Sequence, residues 1–408
     1  MTGPGSYWFG DEERDEVLEV LSSGHLSRYG NLEDPQFKHK VYDFERAFAD
    51  HCGAARALAT SSGTASLLIA LLALGIHEGD EVLVPGFAYI ATFAAVVFTR
   101  AVPVLVEVDE SLTIDTEDLE RKITDRSRVI LPVHMMGNPC DMDAIRAIAE
   151  RHGLHIVEDA CQAVGASFRG TKVGTFGIFG VFSLNRYKMI TVGEGGVLVT
   201  DDSALHERAF ALHDQGHLPV RSSKIPPEQA LIGLNFKMSE ITGAIALAQL
   251  RKLDPMLARL RRNKRLLREM IPELPGLRYR RINDAEGECA TLLTVIFEDQ
   301  QHARVVAQRL GSCTLTASGW HNYQHMTHIA GHRAHVDDWS ASARFAAPGE
   351  LPQTDDLLAR SINISVGVVD PGLASEFGID INSTEIEIAG VARRFSDAVR
   401  AGVSRLAG

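Results

Sequence analysis

"SLNRYKMITVGEGG", residues 183–196, sets one lysine between two apolar runs, "GIFGVF" before it and "VLVT" after it. A serine stands five residues ahead of Lys188 and a Gly-Glu-Gly-Gly turn follows it. A surface lysine needs no such setting. A lysine that bonds covalently to a cofactor does, because its backbone must be held at a fixed place beside a tight turn.

Outward from this stretch the pattern alternates. Short apolar strands are expected at "DEVLVPG" (80–86), "VPVLVEVD" (102–109), "SRVILPVH" (127–134) and "HIVEDA" (155–160). Helices are expected between them, at "AYIATFAAVVFTR" (88–100), "DTEDLERKI" (115–123) and "DMDAIRAIAERHG" (141–153). Strands alternating with helices imply parallel pairing with helices on both faces. "ASFRGTKVGTFG" (166–177) reads as a strand between Asp159 and the lysine, with "RGTKVG" as an exposed hairpin turn around Lys172. "DDSALHERAFALHD" (201–214) opens on Asp and Ser, as a helix start does. A loop rich in Pro, Ser and Lys follows near 217–230, then a long helical region over 239–271 interrupted by Pro255. Beyond Pro275, "GLRYRRI", "ATLLTVIFED" and "QHARVVAQRLG" form an α+β pattern. The expected division is an N-terminal segment over 1–30, a large domain over 31–260 and a smaller α+β domain over 261–408.

Composition narrows the function classes. The 408 residues carry 45% hydrophobic and 23% charged side chains, ordinary for a globular protein. A net charge of −12 argues against nonspecific binding to nucleic acid or to an anionic membrane. The most apolar stretches, "ASLLIALLALGI" and "FAYIATFAAVVF", fall short of the ~20 residues that span a bilayer and read as buried helices. The first sixteen residues lack the basic region and apolar core of a signal peptide. Five dispersed cysteines without a CxxC pair read as reduced thiols, so a cytoplasmic location is expected.

Five pieces fall at strand ends or helix starts, where open α/β sheets build sites. In "TSSGTAS", Ser62, Gly63 and Thr64 precede an apolar helix; this is a phosphate-binding N-terminus or a plain N-cap. Tyr89 in "PGFAYIAT" is a core aromatic or a ring laid on a planar cofactor. Asp159 ends the strand in "HIVEDACQA", as an N-cap or as partner to a protonated ring nitrogen, with Gln162 in reach of the same region. Ser183 offers a second phosphate ligand beside Lys188. Asn235 precedes the helix of "GLNFKMSE". Together they suit pyridoxal 5'-phosphate (PLP), which needs a Schiff-base lysine, an acid facing its pyridine nitrogen, a phosphate cup and an aromatic ring. The lysine lies 29 residues after the aspartate, on a later part of the sheet.

From Gly24 to its end the chain resembles the DegT family of PLP-dependent sugar aminotransferases, within the aspartate-aminotransferase (type I) fold. The carriers are "SSGTASL", "VPGFAYIATFAAV", "PVLVEVD", "PVHMMGNPCDMDAI", "VEDACQAVGA", "SLNRYKMITVGEGG" and "NFKMSEITGAIALAQL". The fold implied is a mostly parallel mixed sheet in a large domain plus a smaller C-terminal domain. The resemblance implies that Lys188 carries the cofactor, that Asp159 faces the pyridinium nitrogen and Gln162 the phenolic oxygen, and that Tyr89 stacks on the ring. It places Gly63, Thr64 and Ser183 at the phosphate, and Asn235 at the phosphate of a partner subunit, so a homodimer with shared sites is expected. Two stretches depart from the commonest family form: "RYGNLEDPQFKHKVYDFE" (28–45) and "SGWHNYQHMTHIAGHRAHVDDW" (318–339).

Rival chemistries fit less well. There is no GxGxxG after an early strand and no GxxxxGK[ST]. His321, His325, His328, His332 and His335 recur at helical spacing, but Gly331 interrupts them and no HExxH is present, so no metal is expected. A sugar dehydratase of the same fold replaces the lysine with histidine, and a non-catalytic regulator needs no complete site; Lys188 speaks for amino transfer. The donor expected from the resemblance is glutamate or glutamine. The acceptor expected is a keto sugar or keto cyclitol, free or nucleotide-linked, in amino-sugar or antibiotic biosynthesis. The late segment "SINISVGVVDPG" (361–372) offers hydroxyls and amides, with Arg360 just before it. Trp320, His321 and Tyr323 are the expected substrate residues, since each buried hydroxyl needs a partner and a stacking ring suits a sugar face.

Overall fold

The computed structural model describes residues 2–219, 230–330 and 347–406. Helices α1 (Pro4–Tyr7), α2 (Asp11–Ser23) and α3 (Lys40–Cys52) precede the first strand, β1 (Arg56–Thr60). The alternating region then runs α4 (Gly63–Ala73), β2 (Glu81–Pro85), α5 (Ile90–Phe98), β3 (Val102–Val106), α6 (Thr116–Arg121), β4 (Ser127–Ile130), α7 (Met142–His152) and β5 (His155–Asp159). A small hairpin, β6 (Ser167–Phe168) and β7 (Thr171–Lys172), leads to β8 (Phe179–Ser183) and β9 (Gly196–Thr200). The chain continues through α8 (Ser203–His213), α9 (Glu240–Arg251), α10 (Leu253–Met270), β10 (Leu277–Tyr279), β11 (Leu292–Phe297), α11 (Gln300–Arg309) and α12 (Thr327–Ala330). It ends in α13 (Pro352–Arg360), β12 (Ser361–Ser365) and α14 (Glu385–Leu406).

Seven strands form one sheet in the order β1-β9-β8-β5-β4-β2-β3. β9 pairs antiparallel with both β1 and β8, and the remaining pairs are parallel, so six strands run one way and β9 alone runs back. This is the mostly parallel mixed sheet that the family resemblance implied; the alternation accounts for its parallel pairs, and the reversed β9 makes it mixed. The fully buried sequences EVLVP, FGVFS and GVLVT explain it: helices cover both faces, so these strands read apolar without alternation. All six parallel strands end on one edge, and the loops that follow β1, β2, β5 and β8 meet there. A second, three-stranded antiparallel sheet joins β10, β11 and β12.

Two local expectations are corrected. Residues 166–177 do not form a strand of the main sheet; β6 and β7 pair only with each other, and β8 is the strand that lies beside β5. The long helical region breaks at Lys252 rather than at Pro255. Pro255 is the third residue of α10, inside its first turn, where a backbone N–H has no helical acceptor to lose. Most of the loop near 217–230 lies outside the described residues.

The N-terminal helices pack inward. Glu13 on α2 is fully buried and accepts from Gln249 Nε2 and Lys252 Nζ, both at 2.7 Å. Gln249 Oε1 in turn accepts the N–H of Thr191 at 3.1 Å. The loop that carries Lys188 is therefore propped from below by α9. Gly3 and Ser6 also reach it, both donating to the carbonyl of Arg186, at 2.9 and 3.1 Å. No described helix is long and apolar enough to cross a membrane.

Candidate active site

Residues 184–195 leave β8 and fold back before β9, and this return explains the glycines. Leu184 exchanges backbone bonds with Val192 and Gly195 at 2.9 Å. Gly193 has φ +85°, a conformation that disfavours other residues. Gly196 has no room for a Cβ, which would lie 2.3 Å from the carbonyl carbon of Ser62. Asn185 closes a turn, accepting the N–H of Tyr187 on its side chain and that of Lys188 on its carbonyl, each at 3.0 Å. The half-buried Lys188 is presented from that turn.

One cleft at the sheet edge is lined by Ser62, Gly63, Thr64, Tyr89, Thr92, Asp159, Cys161, Gln162, Ser183, Asn185 and Lys188. Eight of the nine residues assigned to the cofactor meet there. Its floor is the N-terminus of α4, where free amides and the helix dipole suit an anion. The Ser62 hydroxyl caps that helix by accepting from Ala65 N–H at 3.1 Å, so this side chain serves the N-cap. Gly63 is buried; a Cβ there would lie 2.8 Å from Ser183 Cβ and 2.9 Å from Cys161 Sγ. The cup is thus closed to any side chain at 63.

Asp159 is 4% exposed, and its carboxylate is oriented from two sides. Thr92 Oγ1 donates to Oδ2 at 2.7 Å and Cys161 N–H to Oδ1 at 3.1 Å. Burial, with the Asp159 carboxylate beside it, pushes the Cys161 thiol well up, so it stays protonated. Gln162 Oε1 accepts from Met136 N–H at 2.9 Å. Met136 itself sits at φ +55° in the turn after β4.

A larger cavity of about 430 Å³ opens over Lys188, Tyr89 and Gln162. Its other walls include Met136, Tyr187, Thr291, Trp320, His321, Val368 and Asp370. Tyr89 is no core residue: it stands at the N-cap position of α5, 41% exposed, its ring 5.0 Å from that of His321. His321 Nδ1 bonds to the carbonyl of Gly372 at 2.7 Å.

The remaining expected residues lie elsewhere. Tyr323 is 1% exposed and does not line the cavity; its hydroxyl donates to Asp355 Oδ2 at 3.1 Å and accepts from Gly349 and Leu351 N–H at 3.2 Å. Asn235 is exposed, bridged to Asp214, and outside the cleft of its own chain. Arg360 grips Asp356 with two nitrogens and the carbonyl of Phe297 with a third, and lines a different groove. The side chain of His328, and His332 and His335, lie outside the described residues. Among the described residues no group of three His, Cys, Asp or Glu side chains is placed to hold a metal ion. Thr92, Asn185, Thr291 and Asp370 were not singled out from the sequence. Asn185 and Thr92 stand three residues from Lys188 and Tyr89, whereas Thr291 and Asp370 reach the cavity from remote segments that only the fold brings near.

These residues fit PLP. The cleft offers one amine, one buried oriented carboxylate, a helix N-terminus closed by glycine, and an aromatic ring, the donor set that this cofactor needs. A family model described as the DegT/DnrJ/EryC1/StrS aminotransferase family matches residues 9–368. A GDP-perosamine synthase of Caulobacter vibrioides is 42% identical over 247 residues, 60% of this chain and 63% of that protein. An L-glutamine:scyllo-inosose aminotransferase of Streptomyces griseus is 44% identical over 272 residues, 65% of this chain and 64% of that protein. Both alignments thus span less than two thirds of the curated relative. A solved structure of 3-amino-5-hydroxybenzoic acid synthase superposes with a TM-score of 0.78 at 27% identity, covering 96% of this chain and 97% of the other.

Proposed function

Because the chain belongs to the DegT/DnrJ/EryC1/StrS aminotransferase family, we propose that it is a PLP-dependent aminotransferase. It moves an amino group from glutamate or glutamine to the carbonyl of a keto sugar or keto cyclitol, free or nucleotide-linked, in amino-sugar or antibiotic biosynthesis. One observation carries the reading: Lys188, Asp159, Gln162, Ser183 and the N-terminus of α4 line a single cleft.

When bound, the cofactor supplies an electrophilic carbon for the amine and a cationic ring that draws electrons from the substrate's α-carbon. Lys188 would hold the cofactor through its amine, and the same amine, once free, would serve as the base and acid that carries the proton. Asp159 would keep a proton on the ring nitrogen; Thr92 and the Cys161 amide hold its two oxygens so that it does not swing away. Gly63, Thr64 and Ser183 bind the phosphate, and Gln162 the phenolic oxygen. Tyr89 covers the ring and Trp320 and His321 wall the acceptor side, where Thr291 and Asp370 also stand.

In this reading the site is completed by a second copy of the chain. Exposed Asn235 stands between Ile232 and Leu234, 95% and 61% exposed, and Phe236, which suits a surface that another subunit covers. Five unpaired cysteines suit a cytoplasmic location. The test is to load the protein with PLP, supply L-glutamine or L-glutamate, and measure release of the keto acid. The enzyme is then offered keto sugars, keto cyclitols and aliphatic α-keto acids. An aminated sugar or cyclitol in the mass spectrum supports the proposal; amination of pyruvate or oxaloacetate alone overturns the sugar reading.

A further inference from the structure

Asp370 leaves β12 on a segment that is pinned throughout. Its N–H donates to Ser375 Oγ at 3.0 Å, and its Oδ1 accepts Gly372 N–H at 2.8 Å. The preceding residue, Val369, donates its N–H to the carbonyl of Thr2. The carboxylate is half-buried and lines the cavity above Lys188. Beside it His321 is 5% exposed and donates from Nδ1 to the carbonyl of Gly372, which leaves Nε2 as an acceptor. Both lie against Gly372: a Cβ there would stand 3.1 Å from Asp370 Oδ1 and 3.6 Å from His321 Nδ1.

We infer that Asp370 and His321 form an acceptor-only wall that determines specificity, taking ligands that present hydroxyl or amide donors and rejecting a second carboxylate. The amino donor this selects is glutamine over glutamate. Burial, opposed in part by Asp370, pushes the His321 pKa down to about 4, so the imidazole stays neutral at physiological pH and brings no cation to the wall. Among the described residues, Lys188 is the only Lys or Arg lining the cavity. Glutamine and glutamate share their α-amino and α-carboxylate groups, so the wall discriminates through the γ group alone. The γ-amide donates two N–H groups to the acceptors. The γ-carboxylate sets acceptor against acceptor and one negative charge beside another. A keto cyclitol, through the hydroxyls of its ring, satisfies the same wall in the second half-reaction.

This inference rests on the aminotransferase reading above, and its test separates the two. The PLP-loaded enzyme and its Asp370→Asn variant are mixed with L-glutamine and with L-glutamate, and keto-acid release is timed in single turnovers. Asparagine keeps the oxygen that accepts from Gly372, so the segment keeps its turn. Isothermal titration of both amino acids into both proteins runs alongside. The wild type is expected to favour glutamine in kcat/KM by at least about tenfold, ~1.4 kcal/mol. In the variant the ratio falls towards one, chiefly because KM for glutamate drops. Equal use of the two donors, preference for glutamate, or a ratio untouched by the substitution overturns the inference. If neither amino acid reacts, the aminotransferase reading fails and the titrations decide: tighter glutamine binding that Asp370→Asn abolishes sustains the wall, and equal binding overturns it.

Discussion

Gly63→Ala places one methyl group into the cup between α4 and the end of β8. The Cβ would stand 2.8 Å from Ser183 Cβ, 2.9 Å from Cys161 Sγ and 3.3 Å from Ser183 Cα. Carbon atoms pack best at ~3.5–4.0 Å, so the overlap approaches 1 Å against a strand end that is itself buried. Relieving such overpacking costs ~1–3 kcal/mol, and alanine's better helix propensity returns up to ~1 kcal/mol. The net loss in apoprotein stability is then ~0–3 kcal/mol. The larger effect falls on the cofactor, because α4 must move away from Ser183 and take its free amides with it. Losing one good charged hydrogen bond costs ~1.5–3 kcal/mol, which weakens PLP binding by about ten- to a hundredfold. The assay is equilibrium dialysis of apoprotein against PLP, paired with a thermal melt. Gly390→Ala on α14 is the control, since its Cβ meets no atom within 4 Å. Affinity within twofold of wild type, with an unchanged melt, would refute the assignment of this cup to the phosphate.

Three further outcomes are expected. Asp159→Ala should retain PLP on Lys188 while turnover falls at least about a hundredfold, because nothing then keeps the ring nitrogen protonated; single-turnover kinetics with full cofactor occupancy checks this. Mixed subunits of Lys188→Ala and Asn235→Ala should regain activity after exchange, since each mixed dimer holds one site with both residues intact; no rescue would place Asn235 within its own chain. Stability should fall as pH drops below 6.5, in part through His213. This imidazole is fully buried, donates from Nδ1 to the carbonyl of Phe210 and faces Arg28 at 3.1 Å. Burial, then the Arg28 charge, pushes its pKa down to about 3. A folded-state pKa below the unfolded value means that protonation favours unfolding. The contribution is therefore complete above pH 6.5 and is lost from there down towards pH 3, ~2 kcal/mol of it by pH 5. Urea midpoints at pH 7 and pH 5 measure it, and His213→Gln should flatten that difference.

The alternation of apolar strands and amphipathic helices was legible because each fully buried strand shows in the sequence as a run such as EVLVP or GVLVT. Helix starts were legible where a cap residue stands first, as at Asp202 and Ser239. The break at Lys252 was not, because the helical period runs through it and proline is tolerated one turn later. The pair of β6 and β7 was misread because four residues of strand leave no trace of which sheet they join. In the site, Lys188 and Asp159 announced themselves through glycines and a strand end. Thr92 did not: its hydroxyl meets Asp159 across 67 positions of sequence. Asp370 and Tyr323 show the same limit from opposite sides. One polar residue enters the cavity and the other spends its hydroxyl on Asp355, and only the packing distinguishes them.

The claim at the centre of this account is that Lys188 holds the cofactor. Borohydride reduction of the PLP-loaded protein, followed by proteolysis and mass spectrometry, tests it most directly. The account predicts a single pyridoxyl-modified peptide carrying the label on Lys188, and loss of both the label and the visible cofactor absorbance in Lys188→Ala. A label on Lys172 or Lys237, or full-occupancy labelling that survives in Lys188→Ala, would contradict it.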